Sequence, residues 1–247
     1  MALRFEGQTA LVTGAGSGIG QGIAVMLAEL GFRVALLGRD SAKLEATRKL
    51  FPAEIAESTV AIACDVADRQ GVNAAVAEVL ADFGRLDVLV CNAGTNVRNR
   101  AMEVLTPEDW DLMINTNLTG AFNLVHAVLP TMRQAKSGLI VQICSVSGLR
   151  PNLLGGIGYS ASKFGQRALG TTLAREVGPL GIRSSVIHPG EVNTPILDRR
   201  PVKVEEARKQ AILQPSDVAA AVRFLVELNP RAHVPELIIK PTVDDFA

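Results

Sequence analysis

Thr13-Gly14-Ala15-Gly16-Ser17-Gly18-Ile19-Gly20 is the stretch that decides how this chain folds. It follows a short run, Gln8 to Thr13, holding Ala10, Leu11 and Val12, and it precedes helical spacing through Ile23, Met26, Leu27 and Leu30. Strand, glycine turn and helix in that order are what a phosphate site requires. Glycines permit positive φ and close backbone approach, and a helix N-terminus offers unpaired N–H groups with partial positive charge. The spacing is Gly-x-x-x-Gly-x-Gly (Gly14, Gly18, Gly20), not the commoner Gly-x-Gly-x-x-Gly. On its residues alone the turn is either a cofactor cradle formed by Gly14, Ser17, Gly18, Ile19 and Gly20 or a tight connection with no ligand; its context favours the cradle.

Outward from this turn, strand-like runs recur at Arg33 to Gly38, Ser58 to Cys64, Asp87 to Cys91, Leu139 to Cys144, Ile182 to Ile187 and Glu236 to Lys240. Helical patterns fall between them, beginning near Ser41 and spanning about 68–83, 106–132, 159–177 and 216–228. This is an α/β pattern. The second strand ends in Gly38-Arg39-Asp40. An NAD site places a carboxylate at this strand end for the ribose 2′-OH, whereas an arginine suits the 2′-phosphate of NADP. With Gly38 in the carboxylate position, Arg39 favours NADP(H) over NAD(H); the competing reading makes Asp40 the ribose ligand or the cap of the helix near Ser41. Asp65-Val66 ends the third strand, where Asp65 either meets an adenine or caps the next helix. Asn92-Ala93-Gly94 ends the fourth as a close pass by a flat ring or a plain turn.

Three positions point to proton chemistry. In Tyr159-Ser-Ala-Ser-Lys163, residues four apart share a helix face, so a cation neighbours a phenol and is expected to lower its pKa towards a working range. Tyr159 is then a candidate general acid/base. Ser145, at the fifth strand's tip, aims a hydroxyl at the same point. Asn117 is a poor residue for a helix interior and either holds a water or backbone carbonyl beside Lys163 or faces solvent. The loop between Ser145 and Tyr159 carries Leu153, Leu154 and Ile157, readable as an apolar wall or as solvent and interface groups, and Arg150; it and Glu191 are ambiguous.

Bulk numbers bound the rest. With 247 residues, 48% of them hydrophobic, one domain over 1–247 is expected. Acidic and basic residues balance at 25 each, so nothing draws the chain to nucleic acid or an anionic membrane. Cys64, Cys91 and Cys144 each end an apolar run and suit reduced thiols; with His126 remote from other ligand types, no metal site is expected. The stretch from Met1 to Gly7 lacks a signal-peptide core and no run reaches a membrane span, which leads to the expectation of a cytoplasmic protein.

Together, Thr13-Gly14-x-x-x-Gly18-Ile19-Gly20, Asp65, Asn92-Ala93-Gly94, Asn117, Ser145, Tyr159-x-x-x-Lys163 and Pro189-Gly190 resemble, in order and over almost the whole chain, the short-chain dehydrogenase/reductase family. The resemblance implies a single-domain Rossmann fold with a seven-stranded parallel sheet, strand order 3-2-1-4-5-6-7, and helices on both faces. It implies Tyr159 as acid/base, Ser145 on the substrate oxygen, Lys163 on the nicotinamide ribose and lowering the tyrosine pKa, and Asn117 anchoring a water. Tyr159, Lys163, Pro189, Gly190, Val192 and Thr194 join the cofactor set, Thr194 on the nicotinamide amide or pyrophosphate. Homodimers or homotetramers through helices near 106–132 and 159–177 are implied. Cys91 stands where a second Asn is common, Ser145 and Tyr159 lie one residue farther apart than usual, and the substrate loop that the resemblance implies around 190–214 is short.

The resulting expectation is an NAD(P)-dependent oxidoreductase, NADP favoured, moving hydride between nicotinamide and a carbonyl or secondary alcohol of a small substrate. Its rivals are a non-catalytic NADP-binding regulator, an epimerase or dehydratase using the same Tyr/Lys pair, and a methyltransferase, which would leave that pair unexplained.

Overall fold

A computed structural model describes residues 5–244; Met1 to Arg4, part of the N-terminal stretch read above, and residues 245–247, the end of the polar tail, lie outside the described residues. The chain runs β1 (Thr9–Thr13), α1 (Gly18–Glu29), β2 (Arg33–Gly38), α2 (Ser41–Arg48), α3 (Ala53–Glu57), β3 (Val60–Ala63), α4 (Arg69–Phe83) and β4 (Val88–Cys91). It continues through α5 (Pro107–Ile114), α6 (Gly120–Ala135), β5 (Gly138–Ile143), α7 (Ile157–Val177), β6 (Ile182–Pro189), α8 (Glu206–Ala211), α9 (Pro215–Glu227) and β7 (Glu236–Ile239). The seven strands form one sheet in the order β3-β2-β1-β4-β5-β6-β7, every pairing parallel. Order and parallel pairing match the expectation.

β1 lies mid-sheet and all five of its residues are buried, as a parallel strand covered on both faces must be. Strand side chains alternate between faces, so Ala10 and Val12 pack with Ile23 and Leu27 of α1 and Val218 and Val222 of α9. Leu11 points the other way, into a second core with Val72 and Val76 of α4, Leu124 and Val128 of α6, and Leu173 of α7. Fully burying one such leucine stabilises by ~1.5–3 kcal/mol, and these two layers hold the strand tips rigid.

The helical pattern over 106–132 departs from the expectation of one regular helix. Thr106 caps α5 by accepting from the Asp109 N–H at 3.1 Å, with Pro107 at the first turn. Asn115–Thr119 then forms a π-helical turn before α6 begins. The wider turn is what lets an asparagine occupy this place: Asn117 is fully buried and directed inward, so the solvent-facing alternative fails. Short helices α3 and α8 were not anticipated, and α7 starts two residues before Tyr159, after Gly156 at φ +78. Among the described residues no helix is long and apolar enough to cross a membrane.

Candidate active site

A cleft of about 1050 Å³ lies across the C-terminal ends of the strands, where an open parallel sheet leaves room for ligands. It begins at the glycine turn, where Gly14 and Gly18 adopt φ +63 and +55, values that side chains disfavour. Ser17 precedes α1 without capping it, and the first turn holds no acid. By contrast Asp40, Asp68 and Thr106 cap α2, α4 and α5. The α1 N–H groups therefore stay open to an anion, and the turn fits a nucleotide pyrophosphate. Gly14, Ser17, Gly18 and Ile19 line the cleft. Gly20 sits behind it: a Cβ there would stand 2.3 Å from the Gly14 carbonyl oxygen and 2.4 Å from Asn92 Nδ2, so its bareness lets α1 close on β4.

Farther along, Gly38 and Arg39 line the wall. Asp40 takes the capping alternative, accepting from the Lys43 N–H at 3.1 Å. For Asp65 the capping alternative fails: Asp68 caps α4, while Asp65 accepts only locally from the Ala67 N–H at 3.0 Å and lines the cleft with Val66. Asn92 is a brace as well as a wall. Its Nδ2 donates to the Thr13 carbonyl at 2.8 Å, and the Thr13 hydroxyl accepts from the N–H groups of Asn92 and Ala93 at 3.0 and 3.1 Å. The tips of β1 and β4 are thereby locked, and Ala93 and Gly94 are presented to the cleft.

Ser145, Tyr159 and Lys163 meet in the middle of the same cleft. Ser145 leaves β5 extended and accepts from the Ser147 N–H at 3.1 Å; from behind, His188 Nδ1 lies 3.1 Å from the Ser145 carbonyl while Nε2 meets Glu236 at 3.0 Å. Asn117 stands outside the cleft wall. It holds the Thr95 peptide from both sides, accepting from its N–H at 2.7 Å and donating to its carbonyl at 3.0 Å, and donates to Ser162 Oγ at 2.9 Å. The backbone carbonyl it holds is thus that of Thr95, on the loop passing Lys163: a Cβ at Gly94 would lie 3.4 Å from Asn117 Oδ1 and 3.7 Å from Lys163 Nζ.

The expected electrostatics of the Tyr–Lys pair are corrected here. Tyr159 is pushed up to about 12: burial dominates, the hydrogen bond to Ser145 draws it back, the neighbouring Cys144 adds to the rise and the Arg100 charge opposes it. Lys163 Nζ lies 5.7 Å from the centre of the phenol ring and donates elsewhere, to the Ile143 carbonyl at 3.0 Å and Gln166 Oε1 at 2.7 Å. Burial also pulls the Lys163 pKa down. Helical spacing gave adjacency correctly, but desolvation of the phenol outweighs it. Gln166, one turn beyond Lys163, in turn donates from Nε2 to Gln142 Oε1 at 3.1 Å, a buried chain the sequence reading missed although the three-residue spacing signals it.

Pro189, Gly190, Val192 and Thr194 also line the cleft, and Thr194 packs its methyl over Gly18. Glu191 resolves as a nearly buried carboxylate, 2.6 Å from both Arg200 and Arg208, which ties the 195–211 segment to β6. The Arg200 contact is ionic rather than an aligned hydrogen bond. Arg150 and Leu154 line the cleft; Leu153 is 99% exposed and it and Ile157 lie outside the lining, so the apolar-wall reading holds for Leu154 alone. Arg100 and Arg199, not singled out by any local motif, line the cleft as well. Cys64, Cys91 and Cys144 are buried free thiols, and no metal-ligand cluster occurs among the described residues.

The family profile described as short chain dehydrogenase matches residues 8–204. The chain is 34% identical to a 3-oxoacyl-[acyl-carrier-protein] reductase of Thermotoga maritima, over 90% of this chain and 92% of that one. A metagenomic short-chain oxidoreductase solved in complex with NADP superposes with a TM-score of 0.82 at 34% identity, covering 98% of this chain and 100% of the other. A 3-ketoacyl-(acyl-carrier-protein) reductase of Brucella melitensis, complexed with NADH, gives 0.84 at 28% identity, covering 96% and 98%.

Proposed function

This chain belongs to the short-chain dehydrogenase family, and on that premise we propose that it is an NADP(H)-dependent oxidoreductase interconverting a carbonyl and a secondary alcohol of a small substrate. The observation that carries the reading is the convergence of Ser145, Tyr159 and Lys163 on the wall of the cleft that opens at the glycine turn. A bound nicotinamide supplies or takes the hydride at the substrate carbon. In reduction Ser145 donates to the carbonyl oxygen and Tyr159 passes its proton to that oxygen, so that C=O becomes CH–OH; oxidation is the reverse. With a pKa near 12 set by the protein's own groups, Tyr159 carries its proton at neutral pH and stands ready as an acid. Lys163 orients the ribose and supplies a positive charge, and Asn117 acts one step back by fixing the Thr95 loop.

Support for NADP over NAD comes from the end of β2. Gly38 supplies no carboxylate, Asp40 is committed to its helix, and Arg39 faces the cleft with a fork suited to a 2′-phosphate. Gly14, Ser17, Gly18, Ile19, Val66, Ala93, Pro189, Gly190, Val192 and Thr194 complete the proposed cofactor wall. Residues 1–247 are proposed to act as one domain in the cytoplasm, with the 190–214 loop over the substrate. Trp110, Leu112, Phe122 and Phe164 expose apolar surface on α5, α6 and α7, which supports a homodimer or homotetramer through those helices, to be checked by light scattering.

The test is loss of reduced-nicotinamide absorbance with a panel of ketones, run with NADPH and NADH. Turnover with NADPH that Tyr159→Phe abolishes is the expected result. Binding of NADPH with no turnover of any ketone or alcohol would instead indicate a cofactor-sensing regulator.

A further inference from the structure

Beyond Ser145 and Tyr159 the cleft carries more positive charge than its carboxylates balance. Four carboxylates line it among the described residues, and Asp40 and Asp65 belong to the cofactor end. Of the other two, Glu191 is engaged by Arg200 and Arg208, and Asp244 is met by Arg208. No carboxylate of the described residues pairs with Arg100 or Arg199. Arg100 donates only to the backbone carbonyls of Val97, Leu154 and Arg199. Arg199 donates from one nitrogen to the Thr95 hydroxyl at 2.6 Å and the Asn96 carbonyl at 3.3 Å.

Arg100 is only 9% exposed, and both burial and the nearby Arg200 charge work against its cation. A buried cation beside a second cation, compensated only by dipoles, is a costly arrangement that an anion would relieve. Guanidinium has five N–H donors, so Arg199 keeps several for a ligand. Its hydrogen-bond partner is fixed, since Asn117 clamps the peptide of Thr95, whose hydroxyl accepts from Arg199. The glycine turn proposed for the pyrophosphate is built from other residues, Gly14 to Gly18.

We propose that the substrate is an acid, a small hydroxy or oxo carboxylate whose carboxylate is held by Arg199 with the Arg100 charge behind it, while its alcohol or carbonyl oxygen meets Ser145 and Tyr159. This rests on the oxidoreductase reading above. A carboxylate matches the planar fork with two parallel hydrogen bonds.

The experiment compares 2-oxobutyrate and 3-oxobutyrate with their methyl esters on the full chain with NADPH, following both turnover and ligand-induced thermal shift. The free acid is expected to exceed its ester by roughly 10- to 100-fold in kcat/KM, the scale of a charge-assisted hydrogen-bond pair. That ratio collapses towards one in Arg199→Gln and persists in Arg223→Gln, which removes a cation from the exposed face of α9. The wild-type ratio needs no variant to fold. Esters used as well as acids, or an Arg199→Gln protein that keeps the preference, overturns the inference and leaves the oxidoreductase reading standing. Preference for a phosphate-bearing ketone, dihydroxyacetone phosphate, over both acids overturns the carboxylate assignment. A thermal shift by the acids with no turnover upholds the acid site and overturns the reading, and neither shift nor turnover with any compound overturns both.

Discussion

At the glycine turn the wall of the cleft is backbone, contributed by Gly14, Gly16, Ser17 and Gly18 within a single strand-to-helix connection. Around Arg100 and Arg199 it is side chains gathered from afar: Arg100 reaches the carbonyls of Leu154 and Arg199, 54 and 99 residues away, and Arg199 returns to Thr95. The first kind of wall suits a ligand whose phosphates never change. The second can be rewritten one residue at a time. Affinity for the cofactor and choice of substrate are therefore separable properties of this protein, and mutations can test how cleanly they part.

The largest separation is expected between them at Tyr159. Tyr159→Phe should cost ~10²–10⁴-fold in turnover by removing the proton donor while NADPH affinity, measured by fluorescence titration, holds. Parallel losses in both would break the comparison. Next, Arg39→Ser should weaken NADPH by roughly 10- to 100-fold and leave NADH nearly untouched, as loss of a charge-assisted phosphate contact implies. Equal losses with both nucleotides would show that Arg39 does not read the 2′-phosphate.

A smaller effect lies at Lys163, between the two kinds of wall. Gln166 Oε1 accepts from the buried Lys163 ammonium at 2.7 Å, which favours its charged form. Gln166→Leu should lower the already depressed Lys163 pKa further, move the alkaline limb of the kcat–pH profile to lower pH and reduce kcat by about 3- to 10-fold, the scale of one hydrogen bond. Gln166→Glu should move that limb the other way, an opposition that a packing role alone would not produce.

The smallest effect concerns stability. The folded pKa of Tyr159, about 12, exceeds its ordinary value of 10, so burial holds the proton on. The stabilising preference is complete below pH 10 and is lost as pH rises towards 12, because the unfolded chain ionises first. Urea midpoints measured across that window should fall more steeply for the native chain than for Tyr159→Phe.

What the sequence makes legible follows the same division. The glycine turn and the Tyr159–Lys163 face rest on residues a few positions apart, where dihedral preference and helical period decide the outcome, whereas the sheet order was legible only through the family resemblance. Asn117 was conspicuous as a polar residue in a helical pattern, but only the π-turn explains how it turns inward to Thr95. Asp65 and Asp68 are equally good caps on paper, and geometry chose Asp68. The sign of the Tyr159 shift was missed because spacing reports neighbours and not dehydration. Arg100 and Arg199 have no local signature, since their meaning arises only when segments 99 residues apart are brought together.

The π-helical turn at Asn115–Thr119 carries one residue more than a regular helix would use over the same span. Deleting a single residue there would let α5 run smoothly into α6, a simpler helix that swings Asn117 off the Thr95 peptide and slackens the loop against which Arg199 is held. The segment is thus a place where shortening the chain would tidy the scaffold and spoil the enzyme, so length variation among related chains at this point should track activity more closely than folding.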